Sequence, residues 1–269
     1  MEEVLKTRLK TAVVFGIVVI ALLLAGKTGF SILCSIVAVG GIYEYLQITK
    51  QNRSIVLMGW LLGALLAFVI LSAWTNAEAT PILLGTAILV YTYFVSTLFT
   101  GHQLPHNRLA LAIALFYPGL SLLLPSFVSA PEVWNMHFWA WSLVLIWISD
   151  SGAYLVGRKL GKTKLFERIS PKKTWEGFLG AGLFTLGGGA LISLFQKEQS
   201  LFFWLLTATI VWVMGTLGDL FESSIKRRFD VKDSGTILPG HGGFLDRFDS
   251  LIVVIPYLCA LLWFKHLIL

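Results

Sequence analysis

The residues best suited to chemistry lie between Asp219 and Asp249, toward the end of a 269-residue chain. The first of them follow one another at helical spacing: Asp219, Glu222, Ser223 and Lys226. Side chains at these spacings share one face of a helix. An ion pair between Glu222 and Lys226 accounts for part of this face, but it leaves Asp219 without a cation. We therefore regard Asp219 as a candidate functional carboxylate.

The segment from Lys226 to Asp249 combines three features that suit a polyphosphate. Its cationic side chains are Lys226, Arg227, Arg228, Lys232 and Arg247. Glycines flank His241 in residues 240–243, and they can turn backbone N–H groups toward an anion. Asp246 and Asp249 are one helical turn apart, and such carboxylates bind hard cations such as Mg²⁺. Together these features predict a phosphate-binding site that holds a metal ion.

A second basic segment lies upstream. Its cations are Arg158, Lys159, Lys162, Lys164, Arg168, Lys172 and Lys173. Residues 157–163 resemble a Walker phosphate loop, but one residue too few separates the glycines and no strand precedes them, so we reject that interpretation. Pro171 and Thr174 predict the start of a helix, which places Lys172 and Lys173 at the level of the lipid headgroups.

The whole chain has the composition of an integral membrane protein. It is 56% hydrophobic and 13% charged, with a mean hydropathy of +0.78, whereas soluble domains hold about a quarter charged residues. A membrane helix needs roughly 20 mostly apolar residues. Nine runs qualify, at residues 11–26, 28–46, 54–74, 80–99, 109–128, 133–156, 175–195, 200–220 and 251–269.

We therefore predict an all-α membrane fold of about nine transmembrane helices. No polar segment is long enough to form a soluble domain, so residues 1–269 make a single polytopic domain. Its N-terminal spans cover residues 11–128, and its catalytic spans and loops cover residues 133–269. Pro118 and Pro125 should kink the fifth span, because proline removes a backbone donor.

The basic residues give this arrangement an orientation. Of the 21 Lys and Arg residues, only Lys27, Lys197 and Lys265 lie on the sparsely charged side. The positive-inside rule places the N-terminus and the basic loops in the cytoplasm, and an odd number of spans then places the C-terminus outside. The first run resembles a signal peptide, but it is slightly long and lacks a small-residue cleavage site, so we treat it as a span.

Besides Asp219, two further candidate acids lie at membrane depth, where charge is costly and commonly functional. Asp150 has apolar residues on both sides near the end of the sixth run, and it is a candidate substrate contact. Glu44 lies near the cytoplasmic end of the second run. The simpler interpretation is that the Glu44 side chain reaches out to the membrane interface. The alternative, that Glu44 is a functional carboxylate, stays open.

Residues 223–249 resemble the full signature of the phosphatidate cytidylyltransferases, or CDP-diacylglycerol synthases. The matching positions are Ser223, Ser224, Ile225, Lys226, Arg227, Lys232, Asp233, Gly235, Leu238, Pro239, His241, Gly242, Gly243, Phe244, Asp246, Arg247, Phe248 and Asp249. Residues 150–154 and 170–177 are similar to upstream stretches of the same family. The length and the nine-span layout agree over the whole chain, although the N-terminal half carries little specific signal.

The resemblance implies transfer of a cytidylyl group from CTP to phosphatidate, on the cytoplasmic side of the cytoplasmic (inner) membrane. It implies a homodimer in membrane lipid, dependent on Mg²⁺ with K⁺ as a second ion, and no nucleic-acid partner. By similarity, the principal metal-binding carboxylates would be Asp219 and Asp246, and the spacing of the acids adds Asp249 as a third metal ligand. With the neighbouring cations, the predicted catalytic residues are Asp219, Lys226, Arg227, Asp246 and Arg247. The substrate-binding residues would be Asp150, Lys172, Lys173, Ser223, Lys232, His241, Gly242 and Gly243. We assign His241 a loop or phosphate-contact role rather than that of a general acid.

Two alternatives compete with this interpretation. An ion-coupled transporter or channel also carries acids in the membrane, but it predicts charges near the midplane and internal repeats. Here the charges cluster at one border, and no convincing repeat is visible. The second alternative is an enzyme of related chemistry, either a CTP-using lipid kinase or a cytidylyltransferase for another lipid acid. The signature argues against a kinase but does not define the lipid tail.

Overall fold

Helices make up nearly all of the described chain. The computed structural model describes residues 2–59, 61–62, 80–100, 109–128, 135–237 and 242–268. Its helices are α1 (Glu2–Leu24), α2 (Gly26–Ile48), α3 (Thr80–Thr100), α4 (Ala110–Ala114), α5 (Ser121–Phe127), α6 (Met136–Leu160), α7 (Trp175–Phe195), α8 (Leu201–Arg228) and α9 (Leu245–Ile268). Residues 53–59 and 61–62 are also helical. Two short strands, β1 (Lys164–Phe166) and β2 (Ser170–Thr174), lie between α6 and α7.

Six of these helices are long and apolar enough to cross a membrane: α2, α3, α6, α7, α8 and α9. Shorter apolar helical stretches occupy Val13–Leu24 and Ala110–Ser126. The chain is therefore a multi-pass helical membrane protein, as its composition predicts. Most of the span predicted at residues 54–74 lies outside the described residues.

Helix α7 has the predicted bounds, whereas α8 and α9 are longer at the ends that carry charge. The apolar run predicted for α8 stops at residue 220, but the helix continues to Arg228 and keeps Lys226 on helical backbone. Helix α9 begins at Leu245 rather than at residue 251, so Asp246 lies in its first turn. A search for apolar runs misses both extensions, because a helix can continue through polar residues whose side chains form hydrogen bonds or ion pairs with other groups.

The basic segment after α6 forms a β-hairpin, which corrects the prediction of an all-α chain. The strands are antiparallel, with Lys164 opposite Thr174 and Phe166 opposite Ser170. Pro171 lies in β2, so the predicted helix start is wrong at that residue. Thr174 does cap α7, since its hydroxyl accepts a hydrogen bond from the Gly177 amide at 3.1 Å. Strands of this length are too short to show an alternating pattern in the sequence.

Pro118 interrupts the regular helix, as predicted. Residues Leu115–Leu120, between α4 and α5, form a π-helical turn that contains this proline. Proline lacks an N–H donor, and a widened turn accommodates its ring. The Tyr91 hydroxyl of α3 donates to the Phe116 carbonyl at 2.9 Å and so satisfies an acceptor within the interruption. The second proline, Pro125, lies inside α5.

Helices α8 and α9 approach each other closely at Gly218. A Cβ atom on Gly218 would lie 2.7 Å from the Asp249 carbonyl oxygen and 3.2 Å from the Ser250 Cα. One turn earlier, the Ser250 hydroxyl donates to the Gly215 carbonyl at 3.1 Å. The absence of a side chain at Gly218 therefore lets the segments that carry Asp219 and Asp249 meet.

Gly218→Ala should lower thermal stability by pushing α8 and α9 apart. The added methyl group has to displace backbone atoms of α9, and overpacking of this kind costs about 1–3 kcal/mol. Gly215→Ala is the matched control, because its Cβ would lie 3.6 Å from the Ser250 Cβ, an ordinary contact. Thermal unfolding of both variants in detergent tests the difference. Equal midpoints for the two variants would contradict this account of the packing.

Candidate active site

A cavity of about 450 Å³ lies among α6, β2, α7 and α8. Its charged lining residues are Asp150 and Arg158 on α6, Lys172 and Lys173 on β2, and Asp219 on α8. The fold therefore brings together acids and cations that lie far apart in the sequence. A space lined in this way suits an anionic ligand that arrives with a metal ion.

Lys173 and Asp219 form an ion pair in the wall of this cavity. The Lys173 Nζ lies 2.6 Å from the Asp219 Oδ2, and the two side chains remain 25% and 33% exposed. The Ser223 hydroxyl donates to the other oxygen of Asp219 at 3.2 Å. The cation that Asp219 was expected to need thus comes from the β-hairpin and not from its own helix.

Asp249 on α9 adds a third carboxylate to this group. It lies within electrostatic range of Asp219, Asp150 and Lys173. The field of Asp219 and Lys173 also acts on Asp150. Carboxylate oxygens are the ligands that Mg²⁺ prefers, so these donors fit a divalent metal. Within the described ranges, however, no three acidic, His or Cys side chains already stand close enough together to hold one.

Asp246 belongs to a separate network centred on Lys226. The Lys226 Nζ lies 2.7 Å from the Asp246 Oδ1 and 2.5 Å from the Glu222 Oε2. All three side chains are largely buried, with exposures of 13% for Lys226, 5% for Asp246 and 2% for Glu222. The predicted pair between Glu222 and Lys226 is confirmed, and Asp246 extends it. Lys226 therefore joins α8 to the start of α9.

The glycine-rich loop turns its backbone toward Asp246. The amides of Gly243 and Ser234 both donate to the Asp246 Oδ2, each at 2.8 Å. Gly242 has a φ of +84°, and a Cβ atom there would lie 2.4 Å from the same oxygen. The sequence predicted backbone amides around an anion, and the anion found here is a carboxylate of the protein itself. His241 lies outside the described residues.

Glu44 is fully buried, so its interpretation as a side chain that reaches the membrane interface is wrong. Its carboxylate accepts hydrogen bonds from the amides of Phe244 and Leu245, both at 2.9 Å, and from the Ser234 hydroxyl at 3.0 Å. All of these donors come from the far end of the chain, so the sequence around Glu44 could not identify them. The sequence signal that could have indicated a buried role for Glu44 is the presence of an acid inside an otherwise apolar helix.

The remaining cations of the signature lie at the surface. Arg227, Lys232 and Arg247 are exposed, and none of the three is among the described residues that line the cavity. The Arg227 Nη1 donates to the Val231 carbonyl at 3.4 Å. The cavity thus receives its positive charge from the upstream basic segment rather than from the signature.

Glu176, which the sequence analysis did not single out, ties the hairpin to α7. Its carboxylate accepts hydrogen bonds from the Lys162 amide at 3.0 Å and from the Thr163 amide at 3.1 Å. These contacts hold the start of the hairpin while Lys173 at its end pairs with α8. A carboxylate in the first turn of a helix is the sequence signal that indicates such a role.

Apolar helices around a cavity of acids and lysines define a multi-pass membrane protein with a site for anionic ligands. The chain belongs to the cytidylyltransferase family, whose model matches residues 6–265, and it is an enzyme of that family. It is 36% identical to the phosphatidate cytidylyltransferase of Bacillus subtilis, over 96% of this chain and 97% of the relative. The phosphatidate cytidylyltransferase of Staphylococcus haemolyticus is 33% identical, over 96% of this chain and 99% of the relative. That of Brucella suis is 34% identical, over 92% and 89%. The resemblance noted at residues 223–249 is thereby confirmed.

Proposed function

We propose that this protein transfers the cytidylyl group of CTP to phosphatidate, which yields CDP-diacylglycerol and pyrophosphate. Family membership and relatives named phosphatidate cytidylyltransferase support the reaction class. The observation that carries the proposal is the cavity in which Asp150 and Asp219 face Lys172 and Lys173. Two polyanionic substrates repel each other, so a site that joins them needs cations and preorganised charge.

In the proposed reaction, a phosphate oxygen of phosphatidate forms a bond to the α-phosphorus of CTP. The bond from that phosphorus to the oxygen bridging the β-phosphate breaks, and pyrophosphate leaves with the electron pair. Phosphatidate is already anionic near neutral pH, so no strong general base is required. Lys172, Lys173 and Arg158 would bind phosphate oxygens and hold the two substrates in line. Further phosphate contacts would come from the surface residues Arg227, Lys232 and Arg247. The sequence assigns a phosphate contact to His241 as well.

We further propose that Asp219 and Asp249 hold Mg²⁺, with K⁺ as a second ion. When bound, the divalent ion would neutralise charge on the phosphates. The sequence also assigned Asp246 to the metal, but hydrogen bonds from the Lys226 ammonium and from the Ser234 and Gly243 amides already engage both of its carboxylate oxygens. We therefore propose that Asp246 organises the loop and that Asp150 supplies the third carboxylate.

The proposed arrangement in the membrane has nine spans, a cytoplasmic N-terminus and an external C-terminus. This topology places all but three of the 21 Lys and Arg residues on the cytoplasmic side. In the inner membrane, CTP would then reach the site from water while phosphatidate enters from the leaflet. We also propose a homodimer in which residues 1–269 form one polytopic domain with its catalytic part in residues 133–269.

Two differently labelled forms of CTP test the proposed reaction. Purified protein is incubated with phosphatidate and Mg²⁺, with or without EDTA, and with CTP labelled at either the α- or the γ-phosphorus. Cytidylyl transfer puts the α-label into lipid, releases the γ-label as pyrophosphate, and stops in EDTA. A γ-label in lipid would instead show a kinase, and no lipid labelling from either CTP would refute the proposal. Omission of phosphatidate is the control.

A further inference from the structure

We infer that Glu44 is a positioning residue that anchors the signature loop and the start of α9 to α2. Its carboxylate comes from the N-terminal half of the chain, whereas its hydrogen-bond donors lie 190 to 201 residues later. No step of the proposed reaction uses it. A fully buried acid on a helix that can cross a membrane raises the free energy of the folded protein. Hydrogen bonds to its carboxylate must therefore offset that cost.

Glu44 caps α9 from another helix. The first amides of a helix have no partner within that helix, and a side chain just before the helix usually accepts their hydrogen bonds. Here the Glu44 Oε1 accepts from the Phe244 amide and Oε2 accepts from the Leu245 amide. The negative charge also stands at the positive end of the helix dipole, which stabilises it.

The loop backbone closes around this carboxylate because two of its residues lack side chains. A Cβ atom on Gly235 would lie 2.7 Å from the Glu44 Oε1, and one on Gly243 would lie 2.3 Å from Oε2. Both glycines belong to the signature. The close approach explains why glycine stands at these positions.

Ser234 links Glu44 to Asp246. Its hydroxyl lies 3.0 Å from the Glu44 Oε2 and 2.9 Å from the Asp246 Oδ2. A hydroxyl has one hydrogen to donate, so it can serve only one of the two carboxylates at a time. The Asp246 amide in turn donates to the Ser234 oxygen at 3.3 Å. Glu44 thus belongs to the network that sets the position of α9, the helix that also carries Asp249.

The consequence for catalysis is geometric. If Glu44 no longer holds the start of α9, Asp249 loses its fixed position within electrostatic range of Asp219 and Asp150. A small misplacement of reacting groups is enough to lower turnover by about 10²-fold. Binding of CTP along the lysines of the hairpin would change much less, because those residues do not contact Glu44.

Glu44→Gln is the central test, because it keeps the shape and replaces one acceptor oxygen with an NH₂ donor. Whichever way the amide turns, it faces at least one backbone N–H group. We expect kcat for cytidylyl transfer to fall about 10- to 100-fold, with KM for CTP within about twofold of the wild-type value. Amide hydrogen exchange in residues 242–250 should rise, while exchange in α6 and α7 stays unchanged. Glu44→Asp keeps both oxygens and should show an intermediate kcat.

Ser35→Ala is the matched control on the same helix. Ser35 is buried and its hydroxyl has no hydrogen-bond partner within the described part of the chain. This variant should keep wild-type kcat and wild-type exchange in residues 242–250. A Glu44→Gln protein with wild-type kcat and exchange would overturn the inference, as would equal losses of kcat in Glu44→Gln and Ser35→Ala.

A second variant covers the case in which Glu44→Gln does not fold. Ser234→Ala leaves Glu44 with both backbone bonds and removes the link to Asp246, so kcat should fall and exchange in residues 242–250 should rise by smaller factors. Unchanged kcat and exchange in Ser234→Ala would then overturn the inference. Because the inference rests on the proposed function, the wild-type protein is assayed first. A folded wild-type protein that transfers no cytidylyl group refutes the proposed reaction, whereas the exchange data still report on the cap.

Discussion

Asp219→Asn is expected to lower kcat for cytidylyl transfer by about 10²–10³-fold while the protein stays folded. The substitution keeps the size of the side chain but removes the negative charge that pairs with Lys173 at 2.6 Å. It also removes one of the carboxylates that we propose as Mg²⁺ ligands. Steady-state turnover of labelled CTP, measured across a range of Mg²⁺ concentrations, tests this expectation.

Asp230→Asn is the control for this substitution. Asp230 is exposed and has a left-handed backbone with φ of 55°, a conformation that asparagine also tolerates. Its turnover should match that of the wild type, and both variants should have similar unfolding midpoints in detergent. Near-wild-type turnover of Asp219→Asn would remove Asp219 from the proposed site.

Lys226→Met should produce the largest loss of stability among the charged residues discussed above. Lys226 lies between Glu222 and Asp246, and its removal leaves two largely buried carboxylates close together without their cation. Removing one partner of a buried ion pair costs about 3–5 kcal/mol. Thermal unfolding of the detergent-solubilised protein measures this loss. The value of kcat is determined at a temperature below the unfolding midpoint of the variant, so that the protein assayed is folded.

Two further variants separate a structural role of Lys226 from contact with substrate. Arg227→Met removes an exposed charge from the next residue and should leave the midpoint nearly unchanged. Adding Glu222→Gln to Lys226→Met should restore part of the lost stability, because one uncompensated charge disappears. A Lys226→Met protein with a wild-type midpoint and a strongly raised KM for CTP would instead support the phosphate-binding role assigned from the sequence.

The charged residues of the signature divide between two sets of contacts in the structure. Asp150 and Asp219 line the cavity together with the lysines of the hairpin, and Asp249 lies within electrostatic range of both acids. Asp246 and Lys226 face each other and hold the loop and the start of α9. Because a single segment of sequence supplies both groups, motif matching alone assigns them all to catalysis. Under the proposed assignment, a loss of activity in an Asp246 variant would report first on the position of the loop.

Much of the architecture could be predicted from local sequence. The bounds of α7, the interruption at Pro118 and the pairing of Glu222 with Lys226 all follow from hydropathy, from the chemistry of proline and from helical spacing. The β-hairpin could not be predicted, because its strands are short and rich in lysine. The partner of Asp219 could not be predicted either, since both Lys226 and Lys173 were available and only the packing of β2 against α8 selects Lys173.

The sequence by itself determined the class of protein through its apolar runs, and the residues from Asp219 to Asp249 identified the family through their signature. Lipid as solvent forces long apolar helices, and the spacing of glycines, cations and acids in the signature is a local property that folding does not alter. Tertiary structure alone decided which carboxylates share the cavity, which one accepts hydrogen bonds from the loop amides and why Glu44 is buried. The physical reason is that a buried charge requires nearby donors or counter-charges. In this protein many of those partners come from helices and strands that are distant in the sequence.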